Sequence, residues 1–381
     1  MMDLNTFKIL GLIDLITCKT YSMFNIIVIN LEDEVAMPKS WKSSKNHDEM
    51  LKTLRTILWA VVTGNVKFEE EFILNYRGVK LYTCRWTPAN RNPKALVFLC
   101  HGYAMECSIS MRVTAIRLTE AGFTVYGMDY EGHGKSSGLQ GYIPNFDDLV
   151  NDCSEYYTSV CERKENKDKV RFLLGESMGG AVALLLHRKK PVFWNGAVLV
   201  APMCKIAEEM KPHPLVINML TKLCRVIPTW KIVPCKEVID SAFKSPEWRE
   251  EIRNNPHCYK GKPRLKTGYE LLMVSMDIEK NLNQVSLPFI IIHGGEDIVT
   301  DPSASQALYE TSKSEDKTFK LYPGMWHALT SGEPQENIDL VFSDIISWLD
   351  DRAITMSSRL EMQKKAEHDT QVLFEESFKK A

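Results

Sequence analysis

Long apolar runs, net charge and paired cysteines are all missing from this sequence, and each absence removes a class of protein. The first 45 residues hold two apolar patches, Phe7 to Leu15 and Met23 to Leu31, but Lys8, Asp14 and Lys19 interrupt them. No uninterrupted run of about 18 apolar residues results, which argues against a spanning helix. The start MMDLN carries an acid where a secretory signal wants positive charge, and no clean small-residue cleavage site follows. A formal net charge of −2, from 47 Lys and Arg against 49 Asp and Glu, provides no field that would collect polyanions. Without a basic stripe interleaved with aromatics, no nucleic-acid partner is expected. The ten cysteines are scattered, with no C-x-x-C pair and no histidines at zinc spacing. That pattern points to a reducing, cytoplasmic setting without a structural metal.

What remains is a chain of 381 residues, 44% hydrophobic and 25% charged, at globular averages and long enough for a large domain with an insertion. Residues 1–45 are expected to be an accessory extension, disordered or loosely docked, with peripheral membrane contact as the alternative reading. Met37, just before PKSW, is a natural start for the functional part.

From Glu71 the pattern becomes regular. EFILNYRGVKLYTCRW reads as two alternating strands about a turn at Asn75 to Gly78. ALVFLCHG, GFTVYGMD, VRFLLG, GAVLVAP, PFIIIHGGED and TFKLYPG read as further strands, separated by helical stretches that include Ser108 to Ala121 and Gln335 to Asp351. Near-continuous apolar strands alternating with amphipathic helices predict an α/β fold: a mostly parallel sheet covered on both faces. Between GAVLVAP and PFIIIHG the rhythm breaks into helical patches without a good strand. There PHPLVINMLTKLCRVIP puts Leu215, Met219, Leu220, Leu223 and Ile227 on one face between prolines. The expected organisation is a core over residues 46–202 and 288–352, a helical cap inserted at 203–287, and a charged tail or frayed helix at 353–381.

One short stretch carries the chemistry. In LLGESMGGAVALLL, Ser177 stands in a G-x-S-x-G at the junction of a buried strand and a helix, the pattern of a nucleophile elbow. The flanking glycines are expected to permit the sharp turn, and the helix N-terminus brings a positive dipole end behind the serine. A serine hydroxyl needs a base to take its proton and an acid to orient that base. Asp297, in GGEDIVTD, and His327, in GMWHAL, each follow the end of a strand, in the order Ser, Asp, His. Asp301 is the rival acid, but TDPS fits a helix N-cap with proline at the first helical position. An oxyanion hole needs two backbone donors, assigned to the N–H groups of Met178 and of Tyr103 in CHGYAMEC. His101, His133 and His293 are read as structural.

Taken together, HGYAMECSISM, GMDYEGHGKSSG, GESMGGAVALL, LVAPMCKIAEEMKP, RVIPTWKI, PRLKTGYELL and YPGMWHAL resemble the plant branch of the monoacylglycerol lipase-like α/β-hydrolases, the branch that includes caffeoylshikimate esterase. The resemblance runs from about Glu70 to Asp351. It implies a cofactor-free serine hydrolase of carboxylic esters, with Ser177, Asp297 and His327 as the triad. Expected substrates are small esters with an apolar or aromatic acyl group: monoacylglycerols, lysophospholipids or hydroxycinnamoyl esters. At Ala104 a glycine is expected after HGY, because the loop wants positive φ. Two alternatives stand beside this reading. One is an acyltransferase, for which Glu106 after His101 gives a near match to H-x4-D. The other is a non-catalytic receptor on a hydrolase fold.

Overall fold

The computed structural model describes residues 65–206, 211–233 and 237–379; the expectations for residues 1–45 fall outside them. The fold is that of the unit from Phe68 to the C-terminus. Eight strands form one sheet: β1 (Val66–Leu74), β2 (Lys80–Pro88), β3 (Leu96–Cys100), β4 (Thr124–Met128), β5 (Arg171–Glu176), β6 (Gly196–Val200), β7 (Phe289–Gly294) and β8 (Lys317–Tyr322), in the order β1-β2-β4-β3-β5-β6-β7-β8. β2 runs antiparallel to β4, and from β4 to β8 all neighbours are parallel.

The sequence of each strand matches its place. β3, β4, β6 and β7 are buried along their whole lengths, whereas edge strand β1 is mostly partly buried or exposed. Fully burying a Val, Leu, Ile or Phe side chain contributes about 1.5–3 kcal/mol, so runs such as LVFLC belong where helices cover both faces. At the hairpin, Gly78 takes φ 77° and the Asn75 side chain accepts the amides of Arg77 and Val79 at 2.9 and 2.8 Å.

Helices connect the strands: α1 (Arg112–Glu120), α2 (Phe146–Glu162), α3 (Met178–Lys189), α4 (Pro214–Val226), α5 (Val238–Ala242), α6 (Pro246–Asn254), α7 (Leu265–Lys280), α8 (Pro302–Thr311) and α9 (Gln335–Lys379). Their starts are written in the chain. Asn145 caps α2 by accepting the Asp147 amide at 2.8 Å, Asp301 caps α8 through the Ser303 amide at 2.8 Å, and Pro214, Pro246 and Pro302 occupy first-turn positions.

One expectation changes and two gain detail. The helix predicted from Ser108 begins only at Arg112, because the buried Glu106 carboxylate takes the amides of Ile109 and Ser110 (2.9 and 2.8 Å) and the Ser108 hydroxyl (2.7 Å), holding that stretch as turns. The last helix runs past Asp351 to Lys379; no glycine or proline stands in that interval to stop it. The apolar stripe of α4 divides: Leu215 and Met219 are 71% and 53% exposed, while Leu220 and Leu223 are half-buried.

Because β3 lies between β4 and β5, the chain leaves β3 toward one side and returns on the other. The loops after β3 and β5 therefore flank a switch point at the carboxyl edge of the sheet, where open α/β sheets bind ligands.

Candidate active site

Ser177 sits directly after β5 and immediately before α3, with φ 55° and ψ −118°. A non-glycine residue at positive φ costs on the order of 1–3 kcal/mol, and such strain persists only where the surroundings fix it. Here they do. The Ser177 amide donates to Val200 O, and Ser177 O accepts from the amides of Gly180 and Met203, each at 2.9 Å. The turn is thus carried by the serine's own backbone. Its glycines serve another purpose than the expected one: neither Gly175 nor Gly179 has positive φ, but a Cβ on Gly179 would lie 1.8 Å from Cys100 O, and one on Gly175 2.3 Å from Gly179 O. They let α3 press against the strand ends. The Ser177 side chain is partly exposed, and its hydroxyl makes no hydrogen bond among the described residues. Catalytic hydrogen bonds are commonly loose before substrate binds.

Asp297 and His327 come together, with His327 Nδ1 2.7 Å from Asp297 Oδ2. The imidazole keeps 10% of its side-chain exposure, while the carboxylate has none. Asp297 is held by five donors. Oδ1 accepts the amides of Val299 and Thr300 at 2.7 and 3.0 Å; Oδ2 accepts from His327, from the Thr300 hydroxyl at 2.9 Å, and from His293 Nε2 at 3.1 Å. Burial alone would raise this carboxyl, but the hydrogen bonds from His293 and His327, with the His327 charge and the Val299 amide, outweigh it and hold Asp297 well below the usual carboxylate range. Asp301, the rival acid, is the N-cap of α8.

The loop after β3 packs against the elbow: a Cβ on Gly102 would lie 3.6 Å from Ser177 Cβ. Tyr103 follows in that loop, its hydroxyl donating to Gly141 O at 3.0 Å. Met178 opens α3, so its N–H belongs to the first turn, which has no intrahelical acceptor. Ala104 reaches φ 66° without the expected glycine, and its carbonyl accepts the Tyr259 amide at 2.9 Å.

The other histidines divide as follows. His101 Nε2 accepts the Tyr130 amide at 3.2 Å and Nδ1 lies 2.8 Å from Gly102 O, so both ring nitrogens are spent on the backbone; burial lowers its pKa to about 3. Burial likewise lowers His133 to about 4. His293, read as structural, touches Asp297 directly, and Ser305 Oγ lies 2.7 Å from its other nitrogen. The available signal was a histidine four residues before the acid in HGGED. Glu106 spends its oxygens on Ser108, Ile109, Ser110 and, across the loop, on Asn255 Nδ2 at 3.1 Å rather than on His101. Burial alone would raise Glu106; those hydrogen bonds bring it below the usual range. Glu176, just before the nucleophile, accepts from the Thr330 hydroxyl at 2.9 Å, and loss of hydration raises it.

Among the described residues, no group of three or more His, Cys, Asp or Glu side chains is placed to hold a metal ion, and no helix is long and apolar enough to cross a membrane. The eight described cysteines are free and buried.

Residues 91–335 match the family Hydrolase_4, described as serine aminopeptidase, S33. Caffeoylshikimate esterase of Arabidopsis thaliana is 31% identical over 85% of this chain and 99% of its own length. The monoglyceride lipase of Homo sapiens is 31% identical over 74% of this chain and 91% of its own. A soluble variant of the Saccharomyces cerevisiae monoglyceride lipase, solved in complex with a substrate analog, superposes with a TM-score of 0.65 at 21% identity, covering 74% of this chain and 94% of that one. The eight-stranded sheet, the elbow at the end of β5 and these matches agree: the chain belongs to the Hydrolase_4 family and is a serine-hydrolase-type enzyme of α/β-hydrolase fold.

Proposed function

We propose that this enzyme cleaves carboxylic esters by two-step acyl transfer, with Ser177 as nucleophile, His327 as general base and Asp297 as the orienting acid. The observations that support the proposal are the His327 Nδ1 to Asp297 Oδ2 hydrogen bond of 2.7 Å and, at the end of β5, a serine held at positive φ between strand and helix. Asp297 keeps the proton of His327 on Nδ1 and leaves Nε2 free to accept one. Ser177 Oγ attacks the ester carbonyl as His327 takes its proton. The N–H groups of Tyr103 and Met178 stabilise the oxyanion. His327 then returns the proton to the departing alcohol, and a water molecule, deprotonated by the same imidazole, releases the acid and restores Ser177.

The substrate class we assign is a small ester with an apolar or aromatic acyl group: a monoacylglycerol, a lysophospholipid, or a hydroxycinnamoyl ester such as caffeoylshikimate. The names of the related enzymes support this class. The helices between β6 and β7 would serve as the cap that chooses among these esters, and a chain with free buried cysteines suits the cytoplasm. A hydrolysis panel of all three ester types, run with a fluorophosphonate label on wild type and Ser177→Ala, tests the reading. Turnover with labelling of wild type alone is expected. Absence of both in wild type, or turnover by Ser177→Ala, would refute it. Analysis of products with an added alcohol acceptor separates hydrolysis from acyl transfer.

A further inference from the structure

Asp297 carries two imidazoles on one oxygen, and only one of them can reach a substrate. His293 leaves the end of β7 with no exposure at all. Its Nε2 lies 3.1 Å from Asp297 Oδ2 and 3.0 Å from Thr300 O, both acceptors, so this nitrogen carries the proton. Its Nδ1 then accepts from the Ser305 hydroxyl at 2.7 Å. Ser305, on α8, is itself fully buried, so this second serine, histidine and aspartate alignment is closed to any ester. The result is a chain of contacts, Ser305 to His293 to Asp297, in which the His293 N–H is shared between Asp297 Oδ2 and Thr300 O and meets His327 on the same carboxylate oxygen.

We propose that His293, backed by Ser305, is a positioning residue for the hydrolysis. It fixes the rotation of the Asp297 carboxylate and shares the charge on Oδ2, and so sets both the direction in which His327 points and how tightly His327 holds a proton. This rests on Ser177, His327 and Asp297 acting as the triad. The physical basis is a competition among donors. With His293, the Thr300 hydroxyl and His327 all on Oδ2, the negative charge is divided. Remove His293 and more of that charge acts on His327, which holds its proton more strongly, while the carboxylate loses a restraint on its plane. The other acids around His327 are accounted for: Glu176 is tied to Thr330 and Thr114, and Glu333 accepts the Trp326 amide at 2.6 Å. Asp301 caps α8.

The test compares His293→Leu, His293→Gln and Ser305→Ala with wild type on a soluble acetate ester across pH 5 to 9, with thermal midpoints and fluorophosphonate labelling rates. The Gln amide can still donate from the position of Nε2; Leu cannot. His293→Leu should lose roughly tenfold or more in kcat, as expected for one hydrogen bond to a charged group, with KM changed by less than about twofold. Its acid limb should move to higher pH, because a more basic His327 must be freed of its proton. His293→Gln should restore most of both. Ser305→Ala should lose several-fold in kcat at constant KM, and it carries the test if His293→Leu does not fold. Wild-type kcat and an unmoved acid limb in a folded His293→Leu would overturn the proposal, as would a His293→Gln no better than Leu. Under those outcomes a dead, unlabelled Ser177→Ala leaves the triad standing; turnover by Ser177→Ala would instead bring down the triad and this proposal with it.

Discussion

Replacing Asp297 by Asn tests the acid assignment most sharply, because the five donors around it dictate how the new amide must sit. An amide has one acceptor oxygen. Val299 and Thr300 present backbone N–H groups, at 2.7 and 3.0 Å, which cannot become acceptors, and leaving them unpaired would cost about 1–3 kcal/mol each. On the other side, the Thr300 hydroxyl can turn, the His293 N–H still has Thr300 O to donate to, and His327 can move its proton to the other nitrogen. The Asn carbonyl therefore goes to the backbone amides and its NH2 to His327. His327 Nδ1 must then accept, which puts the ring proton on Nε2, the nitrogen that has to take the proton of Ser177. Other triads with this change lose roughly 10⁴-fold in kcat, equivalent to about 5.4 kcal/mol of barrier, and the same loss is expected here. Asp301→Asn is the control. Asn caps a helix about as well as Asp, so activity should stay within about twofold and stability within about 0.5 kcal/mol. Initial rates on a soluble ester, with circular-dichroism melts to confirm folding, decide the matter. An Asp297→Asn enzyme within tenfold of wild type, or an Asp301→Asn enzyme equally damaged, would show that the wrong carboxylate has been chosen.

Further expectations concern the elbow, the loop after β3 and pH. Gly179→Ala would drive a methyl to 1.8 Å from Cys100 O, and backbone cannot yield cheaply; a loss of about 3 kcal/mol or more should appear in denaturant melts, and an unchanged midpoint would contradict the packing. Ala104→Gly should stabilise by up to about 1 kcal/mol with kcat within about threefold, since the loop already holds φ 66° with alanine; a slower, less stable variant would mean that the methyl group is needed. On acidification below the ordinary histidine value of about 6.5, His101 (about 3) and His133 (about 4) stay neutral in the fold while the unfolded chain binds protons, so stability falls toward pH 4. Between pH 6.5 and 8, Asp129, raised to about 8 by burial and then by Glu106, remains protonated only when folded, so stability falls on that side as well. Melting midpoints should peak near pH 6.5, and a profile flat from 4 to 8 would be inconsistent with these burials.

The sheet and the placement of Ser177, Asp297 and His327 after its strand ends were legible because their signals are local. Ser177 and Asp297 each follow an apolar run that reads as a buried strand, His327 follows the half-buried edge strand β8, and strand ends converge on one edge of a parallel sheet. Side-chain partners across the fold were not legible. His293 sits in a strand, where period-two alternation says which face it points to but not that Asp297 and Ser305 will meet it there. The start of α1 was missed for a related reason: SISMRV has helical spacing, and only the buried Glu106 carboxylate diverts its first amides. The helix α4 was legible from its stripe, but periodicity reports amphipathicity without saying how much of the apolar side is covered.

The clasp between the loop after β3 and the helical insertion has a practical consequence. Glu106 on the loop holds Asn255 at the end of α6, and Ala104 O takes the Tyr259 amide a few residues later, so the segment that would choose substrates also braces the segment that would bear the oxyanion. Anyone grafting the insertion of a relative onto this core to alter its preference would exchange both halves of that clasp. A graft without an amide at the Asn255 position would leave Glu106 Oε1 only the Ile109 and Ser110 donors of its own loop, remove the tie to the insertion and let the loop drift, slowing every ester alike, whatever its acyl group. Selectivity and speed are in this sense mechanically geared, and a library that varies the insertion should keep residues 255–259 fixed if it is to report on taste rather than on horsepower.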